Sequence, residues 1–281
     1  MDTALRHTTL RSGETVPVLG QGTWGLAEGK HSGEEEITAL RVGIDLGMTL
    51  IDTAEMYADG EAERLIGKAI KGRRDDVFLV DKVLPQNATR EGTVLACEQS
   101  LHRLGTDYID LYLLHWREHI PLQETVAGFA QLVEEGKIRN WGVSNFDIAD
   151  MEELESIKRG HEAATDQVLY NLLRRGIEFD LMPWCHDRGI PIMAYSPIEQ
   201  GRLLKTPTIT DIALEHSATP SQIALAWVLR QDKMVAIPRA GTVEHVRENR
   251  HALEVRLTNE DLEKLDVAFP PPTGPQPLQM I

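Results

Sequence analysis

"GQGTWG", Gly20 to Gly25, has the G-x-G-x-x-G spacing of a dinucleotide-binding turn. Its reading decides between two α/β folds. In a Rossmann unit the third glycine opens a helix directly, so that the helix N-terminus faces a pyrophosphate. Here "LAEGKHSG", Leu26 to Gly33, intervenes before helical periodicity begins. The sextet therefore reads as a glycine-rich strand end in a crowded loop, and the Rossmann assignment fails.

Outward from that strand end the pattern alternates. Short apolar, β-rich runs appear at "VPVLGQGTW", "MTLIDTA", "VFLVDKV", "IDLYLLH", "IRNWGVSNF", "ATDQVLY", "IPIMAYSP" and "MVAIPRA". Between most of them lie amphipathic stretches such as "EEEITALRVGIDLG", "GEAERLIGKAIKG", "TREGTVLACEQSLHRLG" and "PLQETVAGFAQLVEEGK". In the third, Val94, Cys97, Leu101 and Leu104 recur at helical spacing. Gly47, Gly72, Gly105, Gly136 and Gly189 each follow a helix-like segment, where a glycine readily takes the left-handed conformation. Strand candidates alternating with helices predict a (β/α)8 TIM barrel, with a doubly wound sheet as the alternative. "LRHTTL-RSGE-TVPVL" reads as a hairpin before the first barrel strand. "TNEDLEKLDVAF" reads as an extra C-terminal helix opened by Thr258, with Asp261 three positions on. The tail "PPPTGPQPLQMI" is proline-rich and irregular. No composition break divides the chain, so residues 1–281 are expected to form one domain.

A formal net charge of −15, from 29 Lys+Arg against 44 Asp+Glu, repels phosphate backbones and anionic membrane surfaces. Nucleic acid and membranes are therefore not expected partners, although a local basic cluster still admits an anionic cofactor. Cys97 and Cys185 are too few for a disulfide framework and suit a reducing compartment. "MDTALRHTTLRSGE" has no apolar leader region. The expectation is a cytoplasmic protein.

In such a barrel the loops after the strands build the reactive site. Asp52 closes the second strand candidate, and Tyr57 lies in the loop after it. Lys82 stands near the end of the third and His115 at the end of the fourth. Singly, Asp52 reads as a helix cap, Tyr57 as packing, Lys82 as a partner of surface Asp81, and His115 as a core histidine. Together on one rim they suit proton delivery to a carbonyl oxygen. A free phenol is a reluctant acid with a pKa of about 10. A neighbouring ammonium stabilises phenolate and lowers that value, and a carboxylate keeps the ammonium charged. A histidine donates a hydrogen bond that fixes the substrate oxygen.

At these residues the chain resembles the aldo-keto reductase family. The resemblance rests on "GQGTWG", "IDTAEMY", the Lys82 strand end, "IDLYLLHW", "GKIRNWGVSNF", "QVLYN", "AYSP" and "IPRAGTVEHVREN", in family order from about residue 8 to 255. It implies a (β/α)8 barrel, a catalytic tetrad at Asp52, Tyr57, Lys82 and His115, and an extended nicotinamide cofactor without a Rossmann domain. By the same resemblance Ser144, Asn145 and Gln167 hold the carboxamide and Tyr195 stacks on the nicotinamide. Gly22, Thr23 and Trp24, and then Ser196, Pro197, Gln200 and Gly201 around "IEQGRLL", line the cofactor. Ile237, Pro238, Arg239, Ala240, His245, Glu248 and Asn249 match the adenosine 2′-phosphate and adenine segment. Here the chain departs from the family: Arg239 replaces a common lysine, Ala240 a common serine or threonine, and His245 a common arginine, while Arg247 lies two positions later. Charge at Arg239 keeps NADPH favoured over NADH.

Trp24 and Trp116, with Tyr57 and His115, match positions that line the substrate pocket. The loop "REHI" and the tail after Phe269 are short, which implies an open mouth and broad acceptance of small aldehydes or ketones, including methylglyoxal. "HWREH" spaces His115 and His119 four apart, but it leaves a strand rather than riding a helix, so no metal site is expected. The resulting expectation is an NADPH-dependent aldehyde reductase, monomeric by family habit. Two alternatives stand beside it. One is a Schiff-base lyase using Lys82, which Asp52 opposes by keeping that amine charged. The other is a non-catalytic nicotinamide-binding regulatory subunit.

Overall fold

A computed structural model describes residues 5–281. Residues 1–4, which open the stretch read as lacking an apolar leader, lie outside the described residues. The chain begins with an antiparallel hairpin, β1 (His7–Thr9) and β2 (Thr15–Pro17), as the sequence predicts. Eight parallel strands follow: β3 (Gln21–Gly22), β4 (Leu50–Asp52), β5 (Phe78–Val83), β6 (Ile109–Leu114), β7 (Ile138–Ser144), β8 (Asp166–Leu169), β9 (Ile192–Tyr195) and β10 (Met234–Ala236). Each pairs with the next in chain order. Parallel bridges Leu19–Ala236 and Gly22–Arg239 join the first strand to the last, so the sheet closes on itself. The doubly wound alternative is excluded by that closure.

Helices α1 (Gly33–Asp45), α2 (Glu61–Ile70), α3 (Arg90–Leu104), α4 (Leu122–Glu134), α5 (Ile148–Ser156), α6 (Leu181–Asp187), α7 (Pro207–Glu215), α8 (Pro220–Val228) and α9 (Val243–His251) surround the barrel, and α10 (Asn259–Ala268) follows as the extra helix. Their ends are written locally. Thr258 and Asp261 form a reciprocal capping box on α10, and Ser32 with Glu35 does the same for α1. The five glycines read as helix terminators all have positive φ, and Gly105, at 66°, closes α3. Among the described residues, no helix is long and apolar enough to cross a membrane.

A barrel strand covered on both faces is mostly apolar, and all six residues of β6 are buried, Asp110 among them in an ion pair with Arg74. Two cores result. Leu50, Val80, Leu111, Leu113, Met193, Val235 and Ile237 fill the barrel interior, with Leu10 and Val16 of the hairpin packed against them. A larger cluster, including Ile66, Phe129, Trp141 and Trp227, lies between strands and helices. "GQGTWG" proves to be the crowded strand end anticipated. A Cβ on Gly22 would stand 2.6 Å from the Ile237 carbonyl oxygen, and α1 starts only at Gly33.

Candidate active site

Asp52 is the last residue of β4, Lys82 the fifth of β5, and His115 directly follows β6. The register sets Asp52 beside Val80 and Lys82 beside Leu113, which places these ends on one rim. Tyr57 opens a short 3-10 turn, Tyr57–Gly60, immediately before α2. All four predicted residues meet there. The Lys82 ammonium donates to Asp52 Oδ2 at 2.9 Å, to the Thr53 carbonyl at 2.6 Å and to the Tyr57 hydroxyl at 3.2 Å. The Tyr57 ring meets the His115 ring edge-on, with centroids 5.9 Å apart. Gln167 on β8 reaches across the barrel to donate to Asp52 Oδ1 at 2.7 Å, so both carboxylate oxygens are engaged.

Lys82 and Asp52 are almost fully buried, yet Lys82 is held above the usual amine range. Burial alone would lower it, but the Asp52 carboxylate and the Tyr57 hydroxyl outweigh that effect. Tyr57 departs from the sequence expectation. Its pKa is raised, because burial of the phenol exceeds the pull of the Lys82 ammonium and Asp52 adds to the rise. The phenol therefore rests protonated. Burial, helped by the Lys82 charge, drives His115 down to about 2, so its imidazole is neutral. Its Nδ1 is buried without a partner among the described residues.

Next to this group lies a second polar wall. The Tyr195 hydroxyl donates to Asn145 Oδ1 at 2.9 Å, and Asn145 Nδ2 donates to the His115 carbonyl and to Ser144 Oγ, both at 3.1 Å. Ser144 Oγ donates to the Gln167 carbonyl at 2.8 Å. Thr23 Oγ1 donates to the Asp52 carbonyl at 2.9 Å, tying the loop of Gly22, Thr23 and Trp24 to the reactive group. Non-glycine residues with positive φ gather at these strand ends: Ala58 (49°), Asn145 (60°), Ser196 (46°), Glu199 (47°) and Gln200 (55°). Such backbone persists where surrounding contacts enforce it. For the loop through Ser196, Pro197, Gln200 and Gly201 that contact is buried Glu199, which accepts from Asn171 at 2.7 Å and from Arg174 at 3.0 Å. The sequence reading overlooked this clamp, although an acid within the apolar-flanked "IEQGRLL" was its available signal.

Ile237, Pro238 and Ala240 are buried beside β3, and Arg239 reaches over to donate to the Gly25 carbonyl at 2.8 Å. Arg239 Nε is buried without a partner among the described residues, so the guanidinium keeps unspent donor capacity. His245 is exposed, Asn249 is buried, and the Glu248 carboxylate accepts from Thr219 at the start of α8. Trp24 is 47% exposed and Trp116 is half-buried, with the Trp116 ring 4.9 Å from that of His115. The tail does not stay clear of the mouth. Gln276 to Gln279 pass Asp147, Ile177 and Leu181, and the Ile281 backbone reaches the Tyr195 hydroxyl.

Asp81 corrects the sequence reading. It is fully buried rather than on the surface, because the outward face of a barrel strand lies under helices.

A closed parallel barrel with a buried Asp–Lys–Tyr–His group at its strand ends defines a class of barrel oxidoreductases, and the comparisons agree. Residues 18–268 match the Aldo/keto reductase family, and the chain belongs to that family. It is 50% identical over 272 residues to methylglyoxal reductase YeaE of Escherichia coli (strain K12), covering 95% of this chain and 96% of that one. It is 33% identical over 268 residues to the glyoxal reductase of Bacillus subtilis (strain 168), covering 95% and 94%. An aldo-keto reductase from Klebsiella pneumoniae, crystallised in complex with NADPH, superposes with a TM-score of 0.96 at 48% identity, over 99% of this chain and all of that one.

Proposed function

We propose that this reductase converts small aldehydes, methylglyoxal and related dicarbonyls among them, to alcohols at the expense of NADPH, with Tyr57 as proton donor. The observation that carries the reading is the Lys82 ammonium, fixed by Asp52 at 2.9 Å and lying 3.2 Å from the Tyr57 hydroxyl. The donor set fits a nicotinamide dinucleotide. Ser144 and Asn145 gather hydroxyl and amide groups at the Tyr195 hydroxyl, and the Gln167 side chain is held next to them by Asp52. Arg239 offers a planar, doubly donating cation suited to a 2′-phosphate. When bound there, the dihydronicotinamide supplies the hydride that reduces the carbonyl carbon.

The chain's own residues handle the oxygen. His115, neutral throughout the working range, donates to it and sets its direction. Tyr57 gives up its proton as negative charge develops there, and the Lys82 ammonium stabilises the phenolate left behind. Asp52 keeps Lys82 charged through that transfer. The same charge opposes imine formation, which needs a free amine, so the lyase alternative finds no support.

The similarity to a methylglyoxal reductase and a glyoxal reductase supports a small dicarbonyl substrate, and so does a tail that flanks the mouth at Tyr195. Two buried, unpaired cysteines are consistent with a cytoplasmic location, and we extend the proposal to a cytoplasmic monomer. Steady-state kinetics with NADPH across methylglyoxal, glyoxal, simple aldehydes and bulky ketones test the reading. Comparable turnover of the small carbonyls and poor use of bulky ketones are expected. A strong preference for a steroid-sized ketone contradicts it.

A further inference from the structure

We propose that Asp81, Glu63 and Arg103 are positioning residues, forming a proton-sharing carboxyl pair locked by a guanidinium that sets the Tyr57 phenol against the Lys82 ammonium. The proposal rests on the reading that Tyr57 and Lys82 carry the chemistry.

Alternation along β5 turns Lys82 into the barrel and Asp81 outward, between the strand and α2 and α3. Asp81 and Glu63 are both fully buried. Asp81 Oδ1 accepts the Lys82 backbone N–H at 2.8 Å, which pins the strand at the lysine. Asp81 Oδ2 has no donor among the described residues, and the carboxyl group within its reach is that of Glu63. Glu63 is ion-paired with Arg103 through two guanidinium nitrogens, Nε and Nη2, and Arg103 also donates to Ser100 Oγ at 3.1 Å.

One guanidinium neutralises one carboxylate, and two ionised carboxylates in a dry contact repel. The remaining carboxyl therefore holds a proton and donates it to Glu63, which satisfies the orphaned oxygen. Burial first, then the Glu63 charge, pushes the Asp81 carboxyl well above the usual range. Cys97 of α3, Tyr112 of β6, and Tyr57 and Lys82 on the barrel side also lie near this carboxyl, and the cations acting on it are Lys82 and Arg103.

Arg103 is the link to the phenol. A Cβ built on Gly60 would lie 2.6 Å from Arg103 Cδ, 2.8 Å from its Nε and 3.2 Å from Glu63 Oε2. The arginine stem thus packs directly on the residue that ends the Tyr57–Gly60 turn. That turn holds Ala58 and Asp59 at φ of 49° and 53°, and it needs such external support. Contacts run without a break from the turn through Gly60, Arg103, Glu63 and Asp81 to Lys82.

The test compares Asp81→Leu, Asp81→Asn and Arg103→Met in the full chain, reading kcat, the NADPH dissociation constant, circular dichroism and the infrared carboxyl band. Asp81→Leu and Arg103→Met should lower kcat about tenfold or more while leaving NADPH affinity within roughly twofold, since small misplacements at a reacting pair are costly. Asp81→Asn still accepts from Lys82 N–H and donates to Glu63, so kcat should stay near the parent value. The parent's protonated-carboxyl absorption at neutral pH should lose the Asp81 component in Asp81→Asn, seen as a difference band against the parent, while the component from buried Asp166 remains. Full kcat in folded Asp81→Leu and Arg103→Met overturns the proposal, and so does a loss in Asp81→Asn as deep as in Asp81→Leu. If Asp81→Leu does not fold, Arg103→Met and the infrared band decide. Tyr57→Phe in the same assay separates the two claims, because activity retained there strikes the Tyr57 reading instead.

Discussion

Lys82 keeps its charge with 0% of its side chain exposed, because Asp52, the Thr53 carbonyl and the Tyr57 hydroxyl surround its ammonium. Lys82→Met removes the charge that stabilises developing phenolate and strands Asp52 beside Gln167. Turnover should fall by roughly 10²-fold or more, a loss of the size set by a positioned acid, and single-turnover reduction of methylglyoxal measures it. At the other end of the site, Arg239→Ala deletes a charge-assisted contact worth ~1.5–3 kcal/mol. The NADPH dissociation constant should rise roughly ten- to hundredfold while that for NADH barely moves, and equal effects on both would sink the 2′-phosphate assignment. Asp52, Tyr57, Lys82 and His115 were legible because their chemistry is joint and their spacing put each at a strand end or in the loop that follows one. The Thr53 carbonyl was invisible, since backbone groups leave no mark in sequence. Asp81 was misread as surface because polarity, without the covering helices, is a poor guide to which face of a barrel strand meets water.

At the scale of elements, the Tyr57–Gly60 turn is the part most sensitive to substitution. Gly60 adopts φ 85° and lies against Arg103, so Gly60→Ala is both strained and crowded. Gly72 has φ 78° with no atom within 4 Å of an added Cβ and lies beyond α2, away from the site. Both alanine variants should lose about 1 kcal/mol or more of stability, seen as a lower melting temperature. Only Gly60→Ala should also lower kcat, and thermal melts run beside initial rates make the comparison. Equal kcat in the two would mean that the turn does not position the phenol. The eight strands and the hairpin could be read because β-rich runs and glycine terminators recur with a clear period. α8 could not be picked out by amphipathicity, because seven of its nine residues, from Ser221 to Val228, are buried. A helix buried nearly all round has no polar face to reveal it. The tail read as irregular and short, and its return to Tyr195 follows from packing of Leu278 against the core, which no local pattern encodes.

For the whole molecule, closure of the barrel places acids in dry positions. Asp166 on β8 is fully buried, neither of its carboxyl oxygens has a hydrogen-bond partner among the described residues, and burial raises the carboxyl well above the ordinary value of 3.8. A raised folded-state pKa contributes stability below the unfolded value, and that contribution is lost as pH rises. Asp166→Asn should therefore melt at a higher temperature than the parent at pH 7 to 8, with the gap closing below about pH 4. A constant gap across that range would mean that the carboxyl is not held protonated. The same closure assembles the reactive group from three successive strand ends, those of β4, β5 and β6, and the loop after β4, and the central claim is that Tyr57 delivers the proton. Tyr57→Phe keeps the ring and removes only the hydroxyl. NADPH titration by fluorescence, followed by aldehyde reduction under saturating cofactor, tests the claim most directly. Normal NADPH affinity with reduction at least roughly a hundredfold slower is the expected result. Near-parental reduction by Tyr57→Phe would contradict it.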